Sequence, residues 1–401
     1  TGGGMIEVID VDGFPVSIGG DYFETLLWVN GSGADVMAAL EAGFDADEIL
    51  LHETDGRQLV QVKAADFVSA DLVAALPGIR STKRLHPVLP VLSRKETRVP
   101  FGSCTAMLEH DAGKSTPLWQ LAVDYECSRG GLTPAEVIQK MVEIVRILRH
   151  SIAEGIAGTT YDDRVLGHQC GRFDELMRSG KLLDGGALNR IVLYVSALME
   201  VKSSMGVIVA APTAGACAAL PGAVIAMAES MGLDEQEMAK AMLASGLIGV
   251  FIATRWTFAA EVGGCQAEGG SAACMAASAL VTLAGGSLTQ CVSASSMAMQ
   301  NMIGLICDPV ANRVEVPCLG KNVMAASNAL SCANMALAGY DAIIPLDEVI
   351  DVASKVSTQM PRELRCTNLG GLSITPTALA LEKTLADRRA ASCGSGCACA
   401  G

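Results

Sequence analysis

Residues 269–307 of the 401-residue chain read GGSAACMAASALVTLAGGSLTQCVSASSMAMQNMIGLIC. The stretch contains no Asp, Glu, Lys or Arg, and Ala, Gly, Ser and Met dominate it. Because it has no charged face to turn toward water, it is typical of helices that are buried on all sides. We therefore predict that this stretch forms a buried helical core.

A membrane-spanning interpretation of this stretch, and of the similar residues 207–228, is disfavoured by composition. Both are rich in Ala, Gly, Ser and Met rather than in Leu and Phe, and both lack flanking aromatic belts. They are also interrupted, by Pro212 and Pro221 or by the pair Gly285 and Gly286. We expect no membrane partner.

The overall charge and composition limit the classes of function. The chain has 29 Lys and Arg against 43 Asp and Glu, a formal net charge of −14, which argues against nucleic acid as a partner. Half of the residues are hydrophobic, which excludes disorder. No basic segment followed by an apolar one opens the chain, so we expect a cytoplasmic protein with reduced thiols.

Signals for helix starts dominate from residue 117 onward. Thr133, Pro134 and Glu136 combine an N-cap, a proline at the first helical position and an early acid. Similar starts follow at residues 233–236 and 345–348. These signals predict a large all-helical domain at 117–386, preceded by a polar linker at 96–116 and followed by a Cys-rich tail at 387–401.

Residues 1–95 have a different pattern, in which short apolar strands alternate with amphipathic stretches. After a leading strand at 6–11, the pattern predicts strands at 25–29, 48–51, 59–63 and 79–90, and helices at 34–42 and 70–76. This βαββαβ order is that of a ferredoxin-like domain, so the whole chain is predicted to be α+β. Such a domain commonly senses small molecules or pairs with a copy of itself.

Three cysteine segments are the most informative about function: AEVGGCQAE at 260–268, CDPV at 307–310 and VPC at 316–318. Cys265 and Cys307 are 42 residues apart, and Cys318 follows 11 residues later. Together with MG at 205–206, IVAAPTAG at 208–215 and LGGL at 369–372, these segments resemble the α part of bacterial iron–sulfur L-serine dehydratases.

The resemblance implies a [4Fe–4S] cluster held by Cys265, Cys307 and Cys318. Three thiolates leave one iron without a protein ligand, which makes that iron a Lewis acid. In the family this open iron helps the β-hydroxyl to leave while a base removes the α-proton. The implied reaction converts L-serine to pyruvate and ammonia, in amino-acid metabolism and gluconeogenesis. Any one cysteine taken alone is more commonly a buried apolar side chain.

A substrate-binding turn is predicted ahead of an apolar, helix-like run. Its backbone N–H groups and the threonine hydroxyl are candidates to bind a substrate carboxylate, and a purely structural helix cap is the alternative. The residues of this turn are Pro212, Thr213, Ala214 and Gly215.

Two carboxylates flank Cys265 in an otherwise uncharged region, where a charge is costly unless it is paired or functional. They are Glu261 and Glu268. Each is a candidate acid or base, a group that supports the cluster, or a partner in a structural salt bridge.

The C-terminal tail contains three cysteines within seven positions, Cys393, Cys397 and Cys399. In part of the resembling family a C-terminal cysteine occupies the open iron until substrate displaces it, so the resemblance implies this role for one of the three. A chain end without any role is the alternative.

The family's other half, which carries a GPSSSHT-like segment, is missing from this sequence. Residues 2–4, 6–8 and 17–20 resemble the start of the ACT-type regulatory module that ends that half. We therefore expect a catalytic β fragment or subunit as a partner, a small hydroxy or amino acid as substrate, and a homo-oligomer.

Departures from the family pattern at Val207 and Phe258 leave a related dehydratase of a 2-(hydroxymethyl) dicarboxylic acid open. A pyridoxal-phosphate dehydratase would need a Schiff-base lysine, for which Lys202 is a candidate, although solvated surface is the commoner location of lysine. A non-catalytic iron–sulfur redox sensor is the alternative from another functional class.

Overall fold

The computed structural model describes residues 13, 14, 16, 22–87 and 98–394, with side chains through residue 388. The chain divides into two compact units. The first extends to Arg98 and includes residues 128–131, and the second takes in the remainder. The predicted leading strand at 6–11 and the predicted ACT-type signature at 2–20 lie outside the described residues, except for positions 13, 14 and 16.

The first unit is a four-stranded antiparallel sheet with two helices, in the order β1 Phe23–Val29, α1 Gly33–Gly43, β2 Glu48–Thr54, β3 Arg57–Ala64, α2 Ala70–Ala75 and β4 Ile79–Leu85. The strand order across the sheet is β2-β3-β1-β4, and every neighbouring pair is antiparallel. This arrangement confirms the predicted βαββαβ order and the α+β class.

Local sequence explains where these elements begin and how they pack. Ser32 caps α1 by accepting from the Asp35 N–H at 3.2 Å, and Ser69 caps α2 in the same way. The alternation along β1 turns Leu27 toward one buried face of the sheet, where it packs in a cluster with Val36 of α1. The unit therefore has its own hydrophobic core.

The second unit is helical and confirms the larger helical part of the fold. Its helices are α3 Cys104–Asp111, α4 Leu118–Gly130, α5 Pro134–Ala157, α6 Gln169–Arg178, α7 Ala187–Ser203, α8 Ala219–Ser230, α9 Glu235–Arg255, α10 Ala260–Gly263, α11 Ser271–Leu283, α12 Leu288–Gln300, α13 Cys318–Leu337, α14 Leu346–Gln359 and α15 Pro376–Gly394.

Two boundaries differ from the prediction. Helix α3 lies inside the segment predicted as a linker, because Asp347 accepts from the N–H groups of Cys104 and Thr105 at 3.2 and 2.9 Å. Thr105 and Asp347 are 242 positions apart, so no local sequence pattern indicates this contact. Helix α15 continues past residue 387 into the predicted tail, where alanine and arginine favour helix.

Helix α11 lies at the centre of the second unit. All of its residues except Thr282 are buried, and it packs against α8, α9, α12 and α13. Small side chains allow neighbouring helices to approach closely. The prediction that the uncharged stretch forms a buried helical core is confirmed.

One helix among the described residues, α9, is long and apolar enough to cross a membrane by length and composition. However, 67% of its most apolar window is buried inside the protein. Because a core helix meets the same two criteria, α9 is weak support for a membrane span.

The packing of α5 on α7 predicts opposite effects for two Gly→Ala substitutions. A Cβ at Gly155 would lie 2.0 Å from the Ala197 carbonyl oxygen, whereas a Cβ at Gly246 would meet no heavy atom within 4 Å. Gly155→Ala should lower the free energy of unfolding by about 1–3 kcal/mol. Gly246→Ala, the control, should raise it by up to about 1 kcal/mol. Urea unfolding followed by circular dichroism measures both, and equal effects would contradict the close packing.

Candidate active site

Two of the three predicted cluster cysteines lie at helix starts. Cys265 directly precedes a π-helical turn, Gln266–Gly270, that continues into α11, and Cys318 is the first residue of α13. The helix dipole favours negative charge at such positions. At Cys318, however, burial outweighs this effect and raises the pKa of the thiol.

Cys307 lies in an extended segment between α12 and α13. Its N–H donates to the Leu364 carbonyl at 2.9 Å, which fixes it beside the segment after α14. The Cys265 thiol lies within hydrogen-bonding reach of the Cys307 sulfur. Cys318 is near enough to Cys265 for the charges of the two thiolates to interact, but within the described residues the Cys318 sulfur forms no hydrogen bond with another sulfur. All three side chains are buried.

The Lys321 ammonium connects the three cysteine segments. It lies one turn after Cys318 on α13 and donates to the Cys265 sulfur at 3.7 Å, to the Ile306 carbonyl at 2.6 Å and to Asp308 Oδ1 at 2.6 Å. Although burial disfavours its charge, Cys265 and Asp308 outweigh this effect and raise the pKa of Lys321. A fixed positive charge therefore lies among the thiols.

The thiols differ in their acidity. The nearby Cys307 thiol lowers the pKa of Cys265, and Lys321 acts in the same direction while burial opposes both. The contact with Cys265 raises the pKa of Cys307. Burial raises the pKa of Cys318 to about 12. Since metals bind the thiolate form, loading this site with metal releases protons.

Asp308 joins the second cysteine segment to the LGGL motif. Its Oδ2 atom accepts from the Leu372 N–H at 2.9 Å, while Oδ1 accepts from Lys321. Gly371 has φ +61°, and a Cβ there would lie 2.6 Å from the Cβ of Asp308. Only glycine fits this close, left-handed position.

Gln266 holds the first cysteine segment against the second. Its Oε1 atom accepts from the Gly304 N–H at 2.8 Å, and its own N–H donates to the Leu305 carbonyl at 2.9 Å. Its Nε2 donates to Ser357 on α14 at 3.0 Å. Gln266 is fully buried, so each of these bonds forms away from water.

The predicted substrate-binding turn lies directly before α8. The Thr213 hydroxyl donates to Glu268 Oε1 at 2.7 Å and accepts from the Ala216 N–H at 3.1 Å. The hydroxyl is therefore already engaged by the protein. The N–H groups of Ala214 and Gly215 have no hydrogen-bond partner in the described part of the chain.

The two candidate carboxylates have different surroundings. Glu261 is exposed, whereas Glu268 is partly buried, and burial raises the pKa of Glu268 against the opposing bond from Thr213. A Cβ at Gly215 would lie 2.7 Å from Glu268 Oε1. Neither carboxylate forms an ion pair within the described residues, which argues against the structural salt bridge as an interpretation.

These segments lie within a match to a known family. The family model described as "Serine dehydratase alpha chain" matches residues 111–373, more than half of the chain. The chain belongs to the serine dehydratase alpha-chain family. It is therefore an enzyme chain, and the resemblance drawn from the cysteine segments is confirmed.

Three relatives of this family carry the same description in their names. A probable L-serine dehydratase alpha chain of Bacillus subtilis is 40% identical over 253 residues, covering 63% of this chain and 84% of the relative. The L-serine dehydratase alpha chain of Peptoniphilus asaccharolyticus is 34% identical over 261 residues, which cover 65% of this chain and 89% of the relative. A probable L-serine dehydratase alpha chain of Latilactobacillus sakei is 45% identical over 183 residues, which cover 46% of this chain and 88% of the relative.

The family match leaves out both ends of the chain. The sheet-forming first unit precedes it, and the cysteine tail follows it. Cys397 and Cys399 lie outside the described residues, and Cys393 lies in the last turn of α15, in the part without described side chains. The predicted contact between the tail and the cluster stays a prediction.

Several residues of this serine dehydratase alpha-chain site were missed by the sequence analysis. Lys321 and Asn322 follow Cys318 by three and four positions, a spacing that places them on the same helix face as the cysteine. Lys202 was assigned to solvated surface, but its ammonium donates to the Val314 carbonyl, and burial lowers its pKa against the charges of Cys318 and Glu268.

Asn322 ties the substrate-binding turn to α13. Its Oδ1 atom accepts from the N–H groups of Ala218 and Ala219 at 3.3 and 3.2 Å, and its Nδ2 donates to the carbonyls of Gly215 and Cys318, both at 2.9 Å. One buried amide therefore fixes the distance between the turn and a predicted cluster ligand.

Asn322→Ala should loosen this turn, because two N–H groups and two carbonyls lose their partner. We expect the free energy of unfolding to fall by about 1–3 kcal/mol. Hydrogen–deuterium exchange by mass spectrometry should become faster in peptides that cover residues 213–222. Asn328→Ala on the same helix is the control, since Asn328 bonds to Ala298 of α12 instead. Unchanged exchange in Asn322→Ala would show that the turn is held by other contacts.

Proposed function

We propose that this chain converts L-serine to pyruvate and ammonia together with a separate β chain, and that Cys265, Cys307 and Cys318 hold a [4Fe–4S] cluster. The observation that carries the proposal is the meeting of three cysteine segments around the Lys321 ammonium. The names of the relatives as alpha chains of L-serine dehydratase support both the substrate and the β partner.

The chemistry of the donor set fits an iron–sulfur cluster. The three thiols are free and buried, whereas no three His, Cys, Asp or Glu side chains within the described residues are grouped closely enough for a single metal ion. Thiolates select soft metals and iron–sulfur clusters over ions that prefer oxygen ligands. Lys321 and Lys202 offset the negative charge that such a site gathers. Free thiols are also the state expected in a reducing cytoplasm.

A bound cluster would supply a Lewis-acidic iron for the substrate oxygen. The chain's own residues bind and orient the rest of the substrate in this proposal. The unpartnered N–H groups of Ala214 and Gly215, just ahead of α8, are suited to a carboxylate. Glu268, one hydrogen bond away through Thr213, is suited to accept the α-proton at its carboxylate.

Glu268 is preferred to Glu261 as the acid–base group because of its surroundings. Glu268 is partly buried, and its pKa is raised toward neutral pH. A carboxylate with such a pKa exchanges protons more effectively at physiological pH. Glu261 is exposed. Lys202 places a positive charge near Glu268, where it favours the ionised carboxylate.

Single Cys→Ala substitutions at Cys265, Cys307 and Cys318 test the cluster assignment. After anaerobic reconstitution the unaltered chain should hold about four irons and four sulfides. Each substitution should abolish the broad visible absorbance and most of the bound iron, and with the β chain present should abolish pyruvate formation from L-serine.

Cys291→Ala is the matched control, because Cys291 is equally buried but bonds only weakly to Thr282, at 3.6 Å. It should retain iron and activity. A normal cluster in any of the three test variants would remove that residue from the ligand set. Pyruvate formation by protein without iron would refute the cluster mechanism while leaving the substrate assignment intact.

Thr213→Val tests Glu268 through the pH dependence of the reaction. The Thr213 hydroxyl lowers the pKa of Glu268, so its removal should raise that pKa further. If ionised Glu268 accepts the α-proton, the acid limb of kcat/KM against pH should move to higher pH. Thr282→Val, whose hydroxyl bonds to Ser278 within α11, should leave the profile in place. An unmoved acid limb in Thr213→Val would eliminate Glu268 as the titrating group.

A further inference from the structure

The Lys321 ammonium uses all of its hydrogen-bond donors beside a predicted cluster ligand. An ammonium has three N–H groups. Here they have three acceptors, which are the Ile306 carbonyl and Asp308 Oδ1, each at 2.6 Å, and the Cys265 sulfur at 3.7 Å. Only 16% of the Lys321 side chain is exposed. Lys321 therefore has no N–H group left for a substrate, and its charge acts on the thiol.

We propose that Lys321 is a positioning residue that protects the bound cluster against oxidation, through its positive charge and its N–H···S hydrogen bond to Cys265. This inference rests on the proposed function, since it requires the cluster and its open iron. It goes beyond the reaction itself, because it concerns how long the site survives an oxidant rather than how the site converts its substrate.

The ion pair between Lys321 and Asp308 presents its positive member to the sulfur. Lys321 Nζ contacts Cys265, whereas the second oxygen of Asp308, Oδ2, accepts from the Leu372 N–H at 2.9 Å. Only 5% of the Asp308 side chain is exposed, so both members of the pair are shielded from water. Salt screens such a pair much less than it screens charges on the surface.

The other charged groups near the thiols act from a greater distance or in the opposite direction. Glu268 acts on Cys265 through its negative charge, which opposes the effect of Lys321. Lys202 donates to the Val314 carbonyl and acts on Cys318 through charge. Among the described residues, Lys321 is the one charged side chain that donates a hydrogen bond to the sulfur of a predicted ligand.

Oxidation is the step that this charge opposes. A one-electron oxidant such as ferricyanide takes one electron from a [4Fe–4S]²⁺ cluster and becomes ferrocyanide. The iron without a protein ligand then leaves as Fe²⁺, and a [3Fe–4S]⁺ cluster stays on the three thiolates. Loss of the electron makes the cluster more positive, so a neighbouring cation disfavours it. Net charge and hydrogen bonds to the sulfurs set the reduction potential of such clusters.

Lys321→Met tests the proposal on the anaerobically reconstituted chain, without substrate or β chain. The variant should still bind about four irons. An EPR-monitored redox titration should give a lower midpoint potential for one-electron reduction than in the unaltered chain, because the reduced, more negative cluster loses its neighbouring cation. Ferricyanide should convert the variant to the three-iron form at least about tenfold faster, as EPR and iron analysis would show.

Two further variants separate the effect of charge from a disturbance of the fold. Lys321→Met alone leaves the Asp308 carboxylate buried without its cation, which is costly. The double variant Lys321→Met with Asp308→Asn removes both charges, and its midpoint potential should lie between those of Lys321→Met and the unaltered chain. Lys321→Arg keeps the charge and the N–H donors, so its midpoint potential should lie closer to that of the unaltered chain than Lys321→Met does.

Lys383→Met is the matched control. Its ammonium pairs with Asp387 on α15 at 2.6 Å and its side chain is 76% exposed, so water and salt screen the loss of the same charge. It should leave the midpoint potential and the rate of iron loss unchanged. If Lys321→Met and the double variant keep the values of the unaltered chain, or if Lys383→Met shifts them equally, the inference is overturned and the proposed function stands. A chain that takes up no cluster under any condition would overturn both.

Discussion

The Lys321 ammonium meets segments of the chain that are far apart in sequence. It bonds to Cys265, 56 positions away, and to Asp308, 13 positions away, from a helix that begins with Cys318. A buried ammonium is costly unless it is paired, and here Asp308 and the Ile306 carbonyl satisfy it. The position of each cysteine segment therefore depends on the others through this one charge.

The small-residue core makes this meeting possible. Helix α11 is almost entirely buried and packs against four other helices, including α13, which carries Lys321. Ala and Ser allow the axes to come close, so the start of the helical run at Cys265 and the first turn of α13 lie within the reach of one lysine side chain. Larger core residues would push Lys321 away from Cys265.

The parts of the fold that follow from local patterns were predictable from the sequence. Strand alternation located the sheet, and the uncharged stretch located the core. Helix α3 was missed although Ser103 caps it locally, because its other cap contacts come from Asp347 on a distant helix. The predicted end of the helical domain at residue 386 is too early, because the cysteines of the tail indicate a non-helical end although alanines favour helix there.

The candidate site was predictable only where a motif repeats a family pattern. Cys265, Cys307 and Cys318 were assigned because their segments resemble those of the family, and their ligation stays a prediction. Lys202 carries no such motif, because its interactions with Cys318 and Glu268 form only in the folded chain. Single-sequence reasoning therefore identified the motifs but not the charges around them.

The cysteines among the described residues differ in acidity, according to the groups that surround each thiol. Cys274 and Cys291 are buried in the helical core, and burial raises the pKa of both thiols, that of Cys291 to about 11. They behave as small apolar side chains. Cys265 and Cys366 are also shielded, yet their pKa values are lowered, because each shares a contact with Cys307. Contacts with neighbouring groups, rather than burial alone, therefore set the acidity of these thiols.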